Sequence, residues 1–344
     1  ATGPFALLGR QHEAVVGLTG SQSGYLAGNH SYTANPVGNI FAWDGSYAEP
    51  AWGNFRALQD DRTRQSAVYG AMRLSLADDL KLIVGGRQSR WETRSLSETR
   101  KHHVFTPYAG LIYDLDPTYS VYASYTDIFN PQNYQDVNGA YLDPVMGKAY
   151  EAGVKAAYFG GRLNASLAVF RIAQDNVGVQ DDNALVGGTA NATYRGEKGV
   201  TSKGFEAELS GELAKGWQMT AGFARALARN ADASRLQPQR PQNMAHVFTS
   251  YRLPGALSAV KIGGGLQWHG ATYATLTTST GVAARRDQGS VTIASLMASY
   301  DVSRQLSVQL NVSNLFDKNH YDFAGSQIYY GAPRKLLLTA KYDF

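Results

Sequence analysis

Residues 305–313 read Gln-Leu-Ser-Val-Gln-Leu-Asn-Val-Ser, so that every second side chain is aliphatic and each intervening one is polar. A period of two gives a β-strand one apolar face, whereas a helix would spread the same residues around its surface. The same alternation recurs at 150–156, 162–169 and 204–210. The chain is therefore predicted to be all-β, with strands that carry one apolar and one polar face.

The connections between the predicted strands alternate between two lengths. Tight turns such as Asp116-Pro117 and Gly160-Gly161 follow every second strand, and long segments such as 22–62 and 175–199 follow others. The alternation of side chains alone fits a soluble sandwich as well, but a sandwich has no reason to alternate its loop lengths. Outer-membrane barrels do, with short periplasmic turns and long extracellular loops. We predict a transmembrane antiparallel up-and-down β-barrel.

The limits of the alternating segments give the strand positions. Strand-end aromatic residues support a membrane setting, because amphipathic rings favour the membrane–water interface, and the chain contains 21 Tyr and 5 Trp. About 14 strands are expected, near residues 9–21, 63–77, 80–93, 102–115, 118–129, 147–159, 162–174, 200–213, 216–228, 243–253, 258–271, 289–301, 305–315 and 331–344.

Composition excludes several classes of function. The 344 residues include no Cys, which excludes disulfides, thiolate metal sites and a Cys nucleophile. A net charge of +4 with 28 acidic residues is too balanced to indicate nucleic acid as a partner. No apolar run approaches the ~18 residues of a membrane helix. The first residues show no signal peptide, so we expect an earlier part of the chain to have been removed or to lie outside this sequence. Phe344 is expected to be the natural C-terminus.

Several motifs occur along the chain in a fixed order. Residues 314–321 read Asn-Leu-Phe-Asp-Lys-Asn-His-Tyr, and residues 8–13 read Leu-Gly-Arg-Gln-His-Glu. These segments resemble the N-L-F-D-K-x-Y and L-F-G-R-x-H-E motifs of the TonB-dependent ferric-siderophore receptors, above all the coprogen, pyoverdine and alcaligin branch. Further segments continue the resemblance, at 77–87, 121–125, 150–155, 203–206 and 329–334.

This resemblance implies how the chain is organised. Members of the family have a 22-stranded barrel filled by an N-terminal plug domain, with a short TonB-contacting segment ahead of the plug. Neither the plug nor that segment is visible, so residues 1–344 are expected to be the C-terminal part of the β-barrel domain, without the first strands. The resemblance also implies multiple passes through the outer membrane, contact with its lipid, and no enzymatic activity.

The function that the resemblance implies is binding of a ferric siderophore, of the hydroxamate type, at the extracellular face, followed by TonB-dependent import. Because the siderophore already chelates the iron, no protein metal ligands and no cofactor are expected. The alternative is a complete, passive, porin-like channel of 14 strands; an outer-membrane enzyme is a third hypothesis. No opposed rows of Arg and acidic residues mark a porin eyelet, and no motif places a Ser/His/acid set.

Candidate siderophore-binding residues are aromatic side chains near the predicted extracellular strand ends, since rigid rings provide contact area at low entropic cost. Tyr273 lies close in the sequence to one of these candidates, Trp268. Two alternatives to ligand binding stay open, namely a first loop that folds on its own aromatic residues and a lipid-facing aromatic girdle. The eight candidates are Trp43, Tyr47, Trp52, Trp91, Tyr134, Trp268, Tyr321 and Tyr329.

Two residues of the 314–321 motif fit a structural role. Asn314 and Asp317 lie where a strand meets a loop, and Asn and Asp side chains there satisfy backbone groups that the strand leaves free. We therefore predict that both residues shape a turn rather than contact a ligand.

Overall fold

The computed structural model describes residues 1–34, 36, 38–96, 98–189, 191–277, 282–324 and 327–344. These described residues form 21 strands and two short 3-10 turns, Ile40–Ala42 and Gly255–Leu257. None of the helical segments in this part of the chain is long and apolar enough to cross a membrane. The chain divides into two compact units, residues 1–74 with 83–107, and residues 75–82 with 108–344.

The first unit is built from long antiparallel strands. Leu8 and Gly9, both with positive φ, reverse the chain between its first two strands. Pairing of the second and third strands extends from Glu13 opposite Arg73 to Thr33 opposite Ala51. The strands are β1 (Thr2–Leu7), β2 (Arg10–Thr33), β3 (Ala51–Ser75), and the parts of β4 (Leu80–Arg94) and β5 (Thr99–Asp114) within residues 83–107.

The prediction of a long irregular loop at 22–62 is wrong. Strand pairing continues through most of that segment, and only residues 34–50 connect β2 to β3. Residues 22–33 and 51–62 are rich in Gly, Ser, Asn and charged side chains, so no apolar face reveals the strands in the sequence. The backbone hydrogen-bond ladder, which is independent of side-chain type, holds them in pairs.

The second unit is an antiparallel sheet with three additional hairpins. Residues 108–114 of β5 pair with the first complete strand of this unit, β6 (Tyr119–Asn130). The strands of the unit are β6 (Tyr119–Asn130), β7 (Val145–Tyr158), β8 (Leu163–Asp175), β9 (Val177–Leu185), β10 (Ala192–Glu197), β11 (Val200–Ala214), β12 (Trp217–Arg229), β13 (Asn243–Arg252), β14 (Val260–His269), β15 (Thr272–Thr277), β16 (Ala283–Gln288), β17 (Val291–Asp301), β18 (Leu306–Ser313), β19 (Tyr321–Ala324), β20 (Gln327–Tyr330) and β21 (Lys335–Tyr342).

The order of strands in this sheet is that of an up-and-down meander. Strands pair in the order β6-β7-β8-β11-β12-β13-β14-β17-β18-β21. The pairs β9–β10, β15–β16 and β19–β20 form separate two-stranded hairpins inside the long connections. The sequence predicts irregular loops there, because short polar strands carry little alternation to detect.

The two faces of the sheet differ in polarity. On β14, Ile262 and Leu266 are 46% and 48% exposed and share one face, while Lys261 and Gln267 lie on the other. Residues opposite each other on neighbouring strands share a face, and Leu266 lies opposite Val247. An exposed apolar face backed by a polar one is the pattern of strands whose outer face contacts lipid.

Candidate functional site

The aromatic residues predicted between β2 and β3 lie in and beside their connection. Trp43 follows the Ile40–Ala42 turn, and its indole N–H donates to the Ser46 carbonyl. Hydrogen bonds from Ser46 to the Asp44 carboxylate lower the pKa of Asp44 and hold this bend. Trp43 and Tyr47 are 47% and 45% exposed, so both rings present area to an incoming ligand.

Trp52 belongs to an aromatic group on the ends of β2 and β3. Its ring centroid lies 5.6 Å from that of Tyr32 and 6.3 Å from that of His30, and its indole N–H donates to Glu49 at 3.0 Å. His30 in turn packs against Phe55 at 5.4 Å. Trp52 remains 56% exposed, so this group combines self-packing with an accessible ring.

Trp91 and Tyr134 are held by neighbouring side chains to different degrees. Trp91 is only 6% exposed, with the His102 ring at 5.4 Å and the Arg100 guanidinium 5.4 Å from its centroid. Tyr134 is stacked on Tyr194 of β10 with centroids 4.2 Å apart, and 43% of it stays exposed. Tyr134 therefore offers a ring edge to a ligand, whereas Trp91 offers almost no surface.

Trp268 lies on the lipid-facing side of β14. It shares its face with Ile262 and Leu266, and its partners in the sheet are Ala245 and Thr292. A half-buried Trp at the extracellular end of an apolar strand face is typical of an interfacial aromatic girdle. This placement favours the girdle over ligand binding for Trp268.

Tyr321 and Tyr329 fall on opposite faces of the β19–β20 hairpin. Tyr321 lies opposite Tyr330, and Tyr329 lies opposite Asp322, so successive pairs point to different sides. The Tyr329 hydroxyl donates to the Gln327 side chain. Tyr321 instead reaches the β15–β16 hairpin, where its hydroxyl donates to the Asp287 carbonyl and its backbone N–H donates to Gln288 Oε1 at 3.1 Å.

The β15–β16 hairpin also carries a concentration of cations around one ring. The Arg285 guanidinium carbon lies 3.9 Å from the Tyr273 ring centroid, and that of Arg235 lies 5.6 Å from it. Both distances are within the range of cation–π attraction. We call Arg235, Tyr273, Arg285, Asp287 and Tyr321 the arginine–tyrosine cluster.

Charge in this cluster is only partly balanced. Both Nε and Nη2 of Arg285 donate to Asp287 Oδ1, at 2.9 and 2.7 Å, and this hydrogen bonding raises the pKa of Arg285. Burial lowers the pKa of the Arg235 guanidinium, and the nearby Arg229 acts in the same direction. No carboxylate lies within 4 Å of Arg235 among the described residues. An anionic ligand would therefore stabilise this side of the cluster.

The loop beside the cluster contains unused hydrogen-bonding atoms. Arg235 Nε, Asn230 Oδ1 and Gln242 Nε2 are buried, and each lacks a hydrogen-bond partner. A buried polar atom without a partner costs about 1–3 kcal/mol, so a ligand that paired with these atoms would be bound more tightly. In the part of the chain that the structure describes, no three His, Asp or Glu side chains gather to hold a metal ion.

Sequence reasoning finds the rings of this site but not its cations. The sequence points to Tyr321 and Tyr273, whereas it gives no reason to select Arg235 or Arg285. A signal is present, since residues 285–286 are both Arg and Arg235 and Arg240 flank one loop. Such pairs in loops are usually solvated, and only the approach of β15–β16 to residues 230–242, where Tyr273 N donates to Pro238 O at 3.1 Å, distinguishes these.

The strands have an exposed apolar face, with tight turns at one end and aromatic and cationic side chains at the other. These features define an outer-membrane barrel protein. The family model described as TonB dependent receptor-like, beta-barrel matches residues 2–315. The chain belongs to the TonB-dependent receptor family, which confirms the fold class, the resemblance found in the sequence and the outer-membrane location.

Known relatives match this chain over almost its whole length. It is 40% identical to the ferric-pyoverdine BN7/BN8 receptor of Pseudomonas putida over 100% of its own length and 43% of that protein. The crystal structure of the Pseudomonas aeruginosa ferripyoverdine receptor bound to ferripyoverdine matches with a TM-score of 0.88 and 38% identity, over 100% of this chain and 47% of that one. The alcaligin receptor of Bordetella pertussis matches with a TM-score of 0.67 and 31% identity, over 99% and 51% respectively. The chain thus spans less than half of the length of the first two of these relatives.

Proposed function

We propose that this chain is part of a receptor that binds a ferric siderophore at the extracellular face of the outer membrane and imports it by TonB-dependent active transport. The family and the names of the relatives support this proposal, since those proteins are receptors for ferric pyoverdine and alcaligin. A relative in Salmonella typhimurium is a ferrioxamine B receptor. TonB would act through parts of the native protein outside these residues.

The observation that carries the proposal is the arginine–tyrosine cluster. Two guanidinium groups lie with their carbons 3.9 and 5.6 Å from the Tyr273 ring centroid and give this surface an aromatic and cationic character. Arg235 Nε and Gln242 Nε2 are donors that a ligand's oxygens would satisfy. A siderophore that wraps iron in oxygen ligands presents such oxygens. The hydroxamate type remains our finer proposal for its chemistry, because hydroxamate oxygens accept hydrogen bonds from guanidinium groups in this way.

The test is a fluorescence titration of the native-length receptor with ferrioxamine B, a ferric pyoverdine and a ferric catecholate. Arg285→Gln is expected to weaken binding of the best ligand by about tenfold, equivalent to about 1.4 kcal/mol. Arg286→Gln is the matched control, because it removes the same charge from the next residue, on the opposite face of β16. Equal affinities in the two variants would remove the cluster from the site.

The passive channel makes the opposite prediction. A channel would conduct ions in planar bilayers and would bind none of the three chelates saturably. The family match disfavours that alternative. Saturable binding by the unmodified receptor, with no response to the apo-siderophore, would support the receptor even if both Arg variants bind normally, so the site and the function are tested separately.

A further inference from the structure

Four neighbouring strands of the second unit each carry a basic side chain, in a row that runs diagonally across the sheet. They are Lys148 on β7, Arg171 on β8, Lys203 on β11 and Arg225 on β12. Arg171 lies directly opposite Lys203 in the sheet. Lys148 lies opposite Ala173, two residues from Arg171, and Arg225 lies opposite Phe205, two residues from Lys203. Neighbouring strands are about 4.8 Å apart and residues advance about 3.3 Å along a strand. The pairing shifts by four residues between Lys148 and Arg225, so this diagonal row spans about 20 Å.

This row lies on the apolar, outer face of the sheet. Arg171 and Lys203 share their face with Val169 and Phe205, which lie opposite each other two residues away on each strand. Val169 and Phe205 are 56% and 37% exposed, and Phe205 stacks on Phe223 at 5.5 Å. The four basic side chains are themselves exposed. Cations therefore border a surface that is otherwise aliphatic and aromatic.

The row also lies at the extracellular ends of its strands. β8 leads from Arg171 into the β9–β10 hairpin, and β12 leads from Arg225 into the long 230–242 connection. The tight turns at 159–162 and 215–216 are at the other ends of these strands. Since short turns are periplasmic in outer-membrane barrels, the cations are at the level of the outer leaflet's headgroups.

Among the described residues, only one of these cations has a carboxylate opposite it in the sheet. None of the four forms an ion pair within 4 Å of a carboxylate there. Asp127 lies opposite Lys148, but its carboxylate accepts a hydrogen bond from the Tyr125 hydroxyl. Like charges placed directly opposite each other on a sheet are destabilising. The Arg171–Lys203 pair therefore calls for an anion from outside the protein.

Two shallow depressions provide room for such an anion. One, of about 480 Å³, is lined by Arg171, Lys203 and Arg225 together with Phe170, Phe205 and Leu227. The other, of about 510 Å³, is lined by Lys148, Tyr150, Arg171 and Ala173. Arg171 borders both depressions, so two anionic groups of one headgroup can be held side by side.

We propose that this basic row binds the phosphate groups of a phosphorylated saccharolipid of the outer leaflet, the lipid A type, whose acyl chains cover the apolar face beneath. Arg and Lys are the side chains that recognise phosphate, Arg by paired hydrogen bonds and Lys as a point charge. A bisphosphorylated sugar headgroup supplies two anions, one for each depression. Acyl chains extending from it contact Val169 and Phe205.

The test uses the native-length receptor, extracted from outer membranes and stripped of lipid by detergent exchange. Native mass spectrometry with bisphosphoryl lipid A is expected to show one lipid retained per protein. Arg171→Gln with Lys203→Gln should weaken this binding by about tenfold or more. The exchange Arg171→Lys with Lys203→Arg, which keeps both charges, should retain the lipid.

The control and the competing lipids decide the outcome. Lys215→Gln with Arg304→Gln removes two cations from the periplasmic turns and should leave lipid retention unchanged. Lipid A without its phosphates, titrated into the unmodified protein, should bind at least about tenfold more weakly, and this arm needs no variant to fold. Equal retention of the dephosphorylated lipid or of phosphatidylglycerol would overturn the proposal, as would an equal loss in the periplasmic control.

Discussion

The guanidinium of Arg285 lies 3.9 Å from the ring centroid of Tyr273, in the closest cation–π contact among the described residues. The two residues are on adjacent strands of one small hairpin, and Arg285 lies opposite Thr275, two residues from Tyr273. Because Arg235 approaches the same ring from the 230–242 connection, the Tyr273 ring links two separate extracellular segments. This linkage gives the ring a structural role in holding the two segments together.

Replacing Tyr273 by Leu is expected to loosen the β15–β16 hairpin. The change removes both cation–π contacts, each of which contributes about 0.5–1 kcal/mol at an exposed site. Limited proteolysis of the receptor in detergent measures this loss as faster cleavage within residues 272–288. Tyr273→Phe keeps the ring and should be cut at the rate of the unmodified protein. If Leu and Phe variants are cleaved at equal rates, the ring does not hold the hairpin.

Trp43 and Trp91 should respond differently to replacement by Ala. Trp43 is 47% exposed, and its loss should weaken siderophore binding by about tenfold without a change in thermal stability. Trp91 is 6% exposed, and its loss should cost about 3–5 kcal/mol of stability through the cavity it leaves. Ligand titration together with the temperature midpoint of heat-modifiable gel mobility separates the two effects. A stability loss in the Trp43 variant would contradict this division.

Gln132 should be necessary for the fold of the extracellular connection that contains Tyr134. It is 8% exposed, its amide donates to Asp143 O and Asn176 O at 2.5 and 2.6 Å, and its Oε1 accepts from Gly178 N at 3.2 Å. Gln132→Leu leaves these backbone groups unpaired, at about 1–3 kcal/mol each. Proteolysis within 131–144 should therefore be faster in the Gln132→Leu variant. Gln132→Glu keeps the acceptor but loses the amide donor, so it should also be cleaved faster there.

The membrane-spanning part of the fold is readable from the sequence because lipid imposes a period of two. Predicted limits such as 200–213 and 216–228 agree with β11 and β12 within one residue at either end. Outside the membrane that constraint disappears. Residues 22–33 and 51–62 pair through their backbones with no apolar face, so the sequence suggests a loop.

The candidate site is less accessible to sequence reasoning, for a different reason. Aromatic residues near strand ends are visible in the sequence, but whether a ring meets ligand, lipid or its neighbours depends on contacts between distant segments. Trp268 lies on the lipid-facing side, and Trp91 is covered by His102. The cations around Tyr273 come from residues 38 and 12 positions away, and no local pattern connects them.

A glycine-to-alanine pair tests the close approach of two strands. A Cβ on Gly204 would lie 1.8 Å from the Arg225 backbone oxygen, so β11 or β12 must shift to admit it. A Cβ on Gly70 would meet Val15 O at 3.6 Å, an ordinary contact. Gly204→Ala should therefore destabilise the protein by about 1–3 kcal/mol, visible as a lower midpoint of heat-modifiable mobility. Gly70→Ala should leave the midpoint unchanged, and equal midpoints would refute the steric argument.

Asn314 should be the most sensitive residue of the turn after β18. It is 4% exposed with a φ of 49°, its amide donates to Lys318 O at 3.1 Å and to Ala332 O at 3.0 Å, and its Oδ1 accepts from Lys318 N at 2.8 Å. These bonds confirm that Asn314 shapes the turn, as Asp317 does by accepting from Arg334 N at 2.8 Å.

Asn314→Ala leaves three backbone groups without partners and places a side chain with no local hydrogen bond in the left-handed region. The expected loss of stability is about 2–4 kcal/mol, combining unpaired buried groups and backbone strain. Asn314→Gly removes the strain but not the unpaired groups, so its loss should be smaller by about 1 kcal/mol. The temperature midpoint of heat-modifiable gel mobility should be highest for the unmodified protein, lower for Asn314→Gly and lowest for Asn314→Ala. Siderophore affinity measured well below those midpoints should stay unchanged, because Asn314 acts through the turn, and a selective loss of affinity would instead assign it to the ligand site.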